Sequence, residues 1–418
     1  MENNKTDYIL LGTLIALTGF EFAFRASPFI QFAILICVAI YFFRTGIKFS
    51  SVFFLILLPF MLSIATQSLL KPNLYIFVVN TISMIIKLLT CYLILELTKN
   101  RLNTTFVGFI YFLALFSLVF YPTQYFPGLQ DTIKNGIGSI IKPLGSENTP
   151  PGFVSKTLIF FTYHHSYNQE FVEDLRNSGA FWEPGMFAIF LNLALMINIY
   201  INKAKLLSHR NIVFIITLIT TLSTTGFIVL FLIILSTFIL NKKIEHAILY
   251  LPIIIGISLI AYTYVWKLEF MSGKVTAQVD NANYNQSSRF GAALFHFEQL
   301  KESPLTGVFL LEAQNNKEIN FEDRHVTPNG ISLIFMVWGI PVALIYFALI
   351  YTGLARWLRF NRIDNKLVHF FFFFIVIFST FSQDITNRHF YYMILFFVAC
   401  FPRYPIPKPI NFKTLELK

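Results

Sequence analysis

Apolar runs follow one another along most of the 418 residues, at about 8–24, 28–43, 51–70, 74–98, 105–121, 184–201, 211–240, 247–265, 329–352, 367–382 and 389–402. A hydrocarbon core about 30 Å thick takes roughly 20 helical residues to span, and only a backbone that satisfies its own hydrogen bonds is stable inside it. The pattern predicts an all-α, polytopic integral membrane protein. Composition agrees: 13% of residues are charged, against about 25% in a soluble domain, and the mean hydropathy is +0.63. Cys37, Cys91 and Cys400 all fall inside apolar runs, which argues against a disulfide framework or a thiolate metal site. The first run follows a short polar leader and is soon followed by a second, so it reads as a retained span and not a cleaved signal.

An excess of ten basic charges would suggest a nucleic-acid partner in a soluble chain. In a membrane chain it is first a topology signal, and no nucleic acid is expected. The run 211–240 is too long for one ordinary crossing and short for two. Reading it as a tight helical pair that turns at Ser223-Thr224-Thr225-Gly226, with the N-terminus cytosolic, puts thirteen basic residues inside: Arg44, Lys48, Lys99, Arg101, Lys203, Lys205, Arg210, Lys242, Lys243, Arg356, Arg359, Arg362 and Lys366. The short outer connections keep Arg25, Lys71 and Arg388. This asymmetry predicts about twelve crossings with both termini cytosolic. The organisation is then a five-span bundle (1–121), a first long outer loop (122–178), central spans (179–265) containing the helical pair, a second long outer loop (266–328), and C-terminal spans with a cytosolic tail (329–418).

The junction between the first long loop and the 184–201 span reads Arg176-Asn-Ser-Gly-Ala-Phe-Trp-Glu-Pro-Gly-Met-Phe-Ala188. Pro184 suits the first position of a helix, because its fixed φ is helical and its missing N–H would have no partner there. Glu183 therefore stands at the helix mouth, where the span meets water. An acid there complements the helix dipole by roughly 0.3–1 kcal/mol, so a purely structural role is available to it. A turn between short helices within the membrane's depth is tolerated only where it is buried or lines a wet cavity, which places Thr224 and Thr225 on a polar vestibule.

In the second loop, Phe290, Leu294, Phe297 and Lys301 share one helical face, while Arg289 and His296 share a neighbouring stripe turned toward that vestibule. Lys87 falls near the middle of the fourth span, where a lysine costs about 2.5–3.5 kcal/mol, so it should face the bundle interior with Asn80 and Ser83 on its stripe. Glu21 and Arg25, four apart, read as a helix ion pair. Glu322, Asp323 and His325 admit two further readings, a solvated loop and a metal site. Adjacent carboxylates with one histidine make a poor ligand set, and no metal is expected.

The string Arg176, Gly179, Phe181, Glu183-Pro184 and Ala188 resembles the "R-x-x-G-x-F-x-E-P-x-x-x-A" signature of bacterial O-antigen polymerases and the O-antigen ligase superfamily. Thr224-Thr225 stand where that superfamily often carries Ser-Arg. Ser303-Pro304-Leu305-Thr306-Gly307-Val308 is similar to its "N-P-L-x-G-V-G" turn, departing at Ser303 and Phe309. The segment from His325 through Asn329 to Trp338-Gly339-Ile340 is similar to its "H-N-x-y-L…G-I" segment, with the histidine displaced upstream.

The resemblance implies a metal-independent glycosyltransferase of the bacterial inner membrane that needs no cofactor. It would join undecaprenyl-pyrophosphate-linked oligosaccharide repeat units into O-antigen or capsular polysaccharide at the outer face. Arg176, Arg289 and Arg324 would bind pyrophosphate, since guanidinium stays charged and binds oxygens bidentately. Glu183 or His325 would take the proton of the attacking hydroxyl. Trp182, Thr224, Thr225, His296, Asn329 and Lys87 would line the vestibule. Membrane lipid and a chain-length regulator protein are the further expected partners. Two alternatives stand beside this reading: a ligase that moves finished glycan to lipid A core, and a lipid-linked glycan flippase. A flippase needs charges through the depth of the bundle, where Lys87 is nearly alone.

Overall fold

The computed structural model of the chain describes residues 4–20, 27–70, 72–136, 155–158, 161–164, 176–240, 289–308, 329–381 and 383–401. The described residues are mostly helical. In chain order the helices are α1 (Asn4–Gly19), α2 (Pro28–Arg44), α3 (Val52–Leu70), α4 (Leu74–Thr98), α5 (Leu102–Phe120), α6 (Pro127–Asn135), α7 (Pro184–Tyr200), α8 (His209–Thr220), α9 (Thr224–Leu240), α10 (Arg289–Glu302), α11 (Gly330–Phe360), α12 (Lys366–Thr380), α13 (His389–Leu395) and α14 (Phe397–Cys400). Four helical stretches, Val52–Leu70, Leu74–Thr98, Leu102–Thr123 and Gly330–Phe360, are long and apolar enough to cross a membrane. Their outer faces agree: Leu55, Leu69 and Val119 are about 70–80% exposed, a surface suited to lipid and not to water.

Side-chain caps start several of these helices. Asn73, Asn329 and Asn365 each stand just before a helix and accept from backbone amides of its first turn, which satisfies donors that would otherwise have no partner.

α7 is the axis of the bundle, and all of its residues are buried. It packs against α5, α8 and α9, and its lower half meets residues of α11 to α14 around a small apolar cavity. Such a helix can be apolar on every side because every side meets protein.

The two ends of the bundle differ. At one end Asp7 pairs with Arg101 at 3.4 Å, and Asn103 donates to Asn361 at 2.6 Å while accepting from the Trp357 indole at 3.1 Å. At the other end the Trp182 amide donates to the Gly19 carbonyl at 3.2 Å, which ties the end of α1 to the head of α7.

Several features depart from the sequence expectations. The run 211–240 is the pair α8–α9, but its turn is Thr221–Ser223, with Leu222 at φ 47°. Ser223 accepts from the Gly226 amide at 3.2 Å and so caps α9, which moves Thr224 and Thr225 from the turn into the first helical turn. The first long loop contains a three-stranded antiparallel sheet, β1 (Ser155–Leu158), β2 (Phe161–His164) and β3 (Arg176–Asn177), for which the Pro- and Gly-rich sequence carried no alternating pattern. The run 329–352 is the upper part of a longer helix, α11, broken at Gly339 (φ 72°, ψ 168°) ahead of Pro341.

The break in α11 is filled by the Ser303–Val308 turn. Val308 N–H donates to the Met336 carbonyl, and Ile340 N–H donates to the Pro304 carbonyl, both at 2.8 Å. Gln67 of α3 donates to the carbonyls of Thr306 and Val337 at 2.5 and 2.8 Å. Carbonyls and amides freed by the kink are thus paired inside the bundle, as membrane depth requires. A Cβ at Gly307 would come within 2.5 Å of the Val337 carbonyl, and one at Gly339 would collide with the Leu305 carbonyl. Two backbones meet there with no room for a side chain.

Candidate functional site

The head of α7 is built by the Arg176–Ala188 stretch. Arg176 and Asn177 form β3, paired with His164 and Tyr163. Asn177 donates to Ser117 and Thr220 hydroxyls at 3.1 and 2.9 Å, and its side-chain oxygen accepts from the Gly179 amide at 2.9 Å. Gly179 turns the chain at φ 53°, and a Cβ there would meet the Phe187 ring at 2.7 Å. The turn delivers Phe181, fully buried, between Phe20, Phe187 and Phe190, with centroids at 4.8–5.4 Å. Aromatic packing on that side fixes where Glu183 begins the helix.

Glu183 is the residue before α7, extended at φ −153°, ψ 157°, but its side chain makes no capping hydrogen bond. Its carboxylate instead accepts from the Gln383 side-chain amide, across from the α12–α13 connection. The dipole of α7 still favours a negative charge at this point, yet the hydrogen-bonding part of an N-cap's role is not used. Gln383 fits against Gly185, where a Cβ would stand 2.8 Å from its nitrogen and 3.0 Å from the Glu183 oxygen.

Two arginines from distant stretches converge on this carboxylate. Arg176 Nε donates to the Thr221 carbonyl at 3.1 Å, in the α8–α9 turn. Arg289, at the head of α10, donates to the Thr225 hydroxyl at 3.2 Å in the first turn of α9. Asn329, the cap of α11, donates to the Arg289 carbonyl at 3.4 Å. The N-termini of α7, α9, α10 and α11 therefore meet around Glu183, Arg176 and Arg289.

Four positive helix ends and two guanidinium groups against one carboxylate make a site that attracts an anion. Burial pushes the Glu183 carboxyl above the usual carboxylate range, against the pull of Arg176, Arg289 and the Gln383 hydrogen bond. Burial lowers Arg176 to about 10 while Glu183 holds it up, and Arg289 is shifted the same way. At about 10, the Arg176 guanidinium is charged at neutral pH.

The other sequence candidates fall as follows. Thr224 and Thr225 both sit at the head of α9, the second bonded to Arg289. Trp182 is half-buried beside Glu183, with the Arg388 guanidinium 5.3 Å from its ring centroid. His296 does not line a vestibule: it is fully buried, with Nδ1 against the Ser332 hydroxyl at 2.7 Å. Its stripe on α10 packs onto α11 because that face carries Gly291 and Ala292, while Phe290, Leu294 and Phe297 point outward, each 48% exposed. Burial takes the His296 imidazole down to about 4, so it is neutral.

Lys87 faces the interior. It donates to the Asn387 carbonyl at 3.2 Å and lies over the Tyr392 ring. Of its stripe, Asn80 is half-buried and Ser83 exposed. Arg324 and His325, with Glu322 and Asp323, lie outside the described residues, as do Glu21 and Arg25 and the 247–265 run. Among the described residues no three His, Cys, Asp or Glu side chains gather as a metal site would require.

Gln383 and Asp384 were missed in the sequence. They stand between two phenylalanine- and tyrosine-rich runs, in a polar string from Ser382 to Arg388 that reads as a mere connection. No known protein family, characterised protein or solved structure matches this chain.

Proposed function

We propose that this protein is a polysaccharide polymerase that joins undecaprenyl-pyrophosphate-linked oligosaccharide repeat units at the outer face of the bacterial inner membrane. The observation that carries the reading is the meeting of Arg176, Arg289 and Glu183 at four helix N-termini. Such a site suits a leaving group with several negative oxygens and a base beside it. The resemblance of Arg176–Ala188 to the O-antigen polymerase signature points to the same chemistry.

In this mechanism the hydroxyl of the acceptor sugar attacks the anomeric carbon of the donor. The new glycosidic C–O bond forms as the bond to pyrophosphate breaks, and the hydroxyl proton passes to Glu183. Arg176 and Arg289 neutralise the charge that develops on the departing pyrophosphate, where fixed donors stabilise the transition state more than the ground state. A carboxyl raised by burial is a stronger base than one in water, which suits proton removal near neutral pH.

The membrane arrangement that goes with this function has twelve crossings: α1 to α5, α7, the α8–α9 pair, the 247–265 run, α11, α12 and the 389–402 run. Pairing of α8 with α9 supports the even parity that the basic residues demand. The site then lies at the outer end, with both termini cytosolic, open to lipid-linked substrates and to a chain-length regulator.

Deleting the gene in its native host tests the function. The expected result is surface glycan of a single repeat unit. Bare core with full-length chains held on the carrier lipid would identify a ligase, and repeat units trapped on the cytosolic side would identify a flippase.

A further inference from the structure

Besides the arginine pair, a second polar group adjoins Glu183 through the neighbours of both partners of the Gln383–Glu183 hydrogen bond, in the connection between α12 and α13. Arg388 and Asp384 form an ion pair at 3.1 Å with both side chains partly exposed. The guanidinium lies over the half-buried Trp182 ring, 5.3 Å from its centroid. Trp182 precedes Glu183 in the chain, and Asp384 follows Gln383, the hydrogen-bond donor to Glu183. Asp384 is also close enough to bear on the Glu183 carboxyl electrostatically.

The connection that carries this group is held from several sides. Lys87 donates to the Asn387 carbonyl at 3.2 Å, the Tyr346 hydroxyl to the Thr386 carbonyl at 2.7 Å, and the Tyr392 hydroxyl to the Asn387 side chain at 2.6 Å. Thr386 donates to the Gly330 carbonyl at 2.7 Å. Each of these groups would need a partner at membrane depth in any case. The result is a short segment whose Asp384 and Arg388 are set against Trp182 by buried contacts on three helices, as a preorganised site requires.

We infer that Trp182, Asp384 and Arg388 form the subsite for the acceptor saccharide, next to the Glu183 carboxyl that the pyrophosphate-binding arginines also approach. The chemistry is that of sugar recognition. A partly exposed carboxylate and guanidinium present acceptors and donors that match adjacent hydroxyl groups, and the half-buried indole beside them adds apolar surface for the C–H groups of a pyranose. A saccharide held there brings a hydroxyl beside Glu183, the next residue in the chain after Trp182. This inference rests on the polymerase reading for the identity of the sugar as acceptor.

Two probes separate the subsites. The protein in lipid nanodiscs is titrated with the repeat-unit oligosaccharide released from its native carrier by mild acid, and separately with undecaprenyl pyrophosphate. Asp384→Asn and Arg388→Lys should each weaken oligosaccharide binding tenfold or more and leave undecaprenyl pyrophosphate binding within twofold of wild type. In turnover, both variants should raise KM for the acceptor with little change for the donor. Arg176→Lys should do the reverse. Oligosaccharide binding that is absent in wild type, unchanged in both variants, or lost in parallel with undecaprenyl pyrophosphate binding would overturn the subsite. Failure of wild-type protein to bind undecaprenyl pyrophosphate is a separate result, and it would overturn the polymerase reading.

Discussion

Glu183, Arg176 and Arg289 hold one another in charge states that burial alone would oppose. Burial works against the Glu183 carboxylate, while the two guanidinium groups and the Gln383 amide favour it. The proton-accepting form is the carboxylate, so turnover should fall as pH drops through the raised Glu183 value, closer to neutrality than an ordinary carboxylate limb. Gln383→Leu removes a hydrogen bond that favours the carboxylate and should move this limb further toward neutral pH. A rate–pH profile that keeps its position in Gln383→Leu would show that Glu183 is not the titrating base. Glu183→Gln should reduce turnover by roughly 10²–10⁴ with unchanged protein level. Arg176→Lys and Arg289→Lys keep the charge but lose the planar fork. Losing one charge-assisted hydrogen bond, about 2 kcal/mol, predicts some thirtyfold lower turnover from each, read on lipid-linked substrate in vitro. Near-normal turnover from either variant would return that arginine to a structural role.

At the scale of elements, the docking of the Ser303–Val308 turn into the broken α11 joins the end of α10 to the bundle. Gly339 occupies a region of backbone space open essentially to glycine alone, and Gly307 is left-handed. A side chain in such a conformation costs of order 1–3 kcal/mol before the backbone collisions are added. Gly307→Ala and Gly339→Ala should each lower the thermal midpoint of the purified protein sharply. Gly46→Ala is the control: Gly46 is also left-handed, at φ 70°, but nothing lies within 4 Å of an added Cβ, so its cost should stay near the roughly 1–2 kcal/mol of the conformation alone. Equal loss in all three would show that the turn does not depend on close backbone contact. Of the two breaks, the Ser303–Val308 turn was visible in the sequence through its resemblance, while Gly339 fell inside a run read as a single span. That each break fills the other was not visible, because neither string carries a signal for its partner.

For the whole molecule, topology is the property that charge asymmetry predicts most directly. In a Cys37→Ala background, cysteines at Gly145 and Gln286 should react with an impermeant thiol reagent added outside intact cells. A cysteine at the exposed Lys366 should react only after the membrane is opened. Labelling of the Lys366 position from outside, or protection of the other two, would exclude twelve crossings with both ends cytosolic.

The sequence by itself determined that the chain is helical and apolar enough for a membrane, because hydropathy and length act locally along the backbone. It also determined the start of α7 at Pro184, since proline's fixed φ and missing donor need no tertiary partner. Arg176 and Glu183 could be singled out because the one string that holds both resembles the O-antigen polymerase signature. Only the tertiary structure decided that Arg289 joins them through Thr225, that Gln383 takes the Glu183 carboxylate away from its own helix, and that His296 turns into the α11 contact. It alone set Asp384 and Arg388 beside Trp182. These are contacts between stretches far apart in the chain. Periodicity can say that such a residue lies on a buried or a polar face, but which residue it meets depends on how the helices pack.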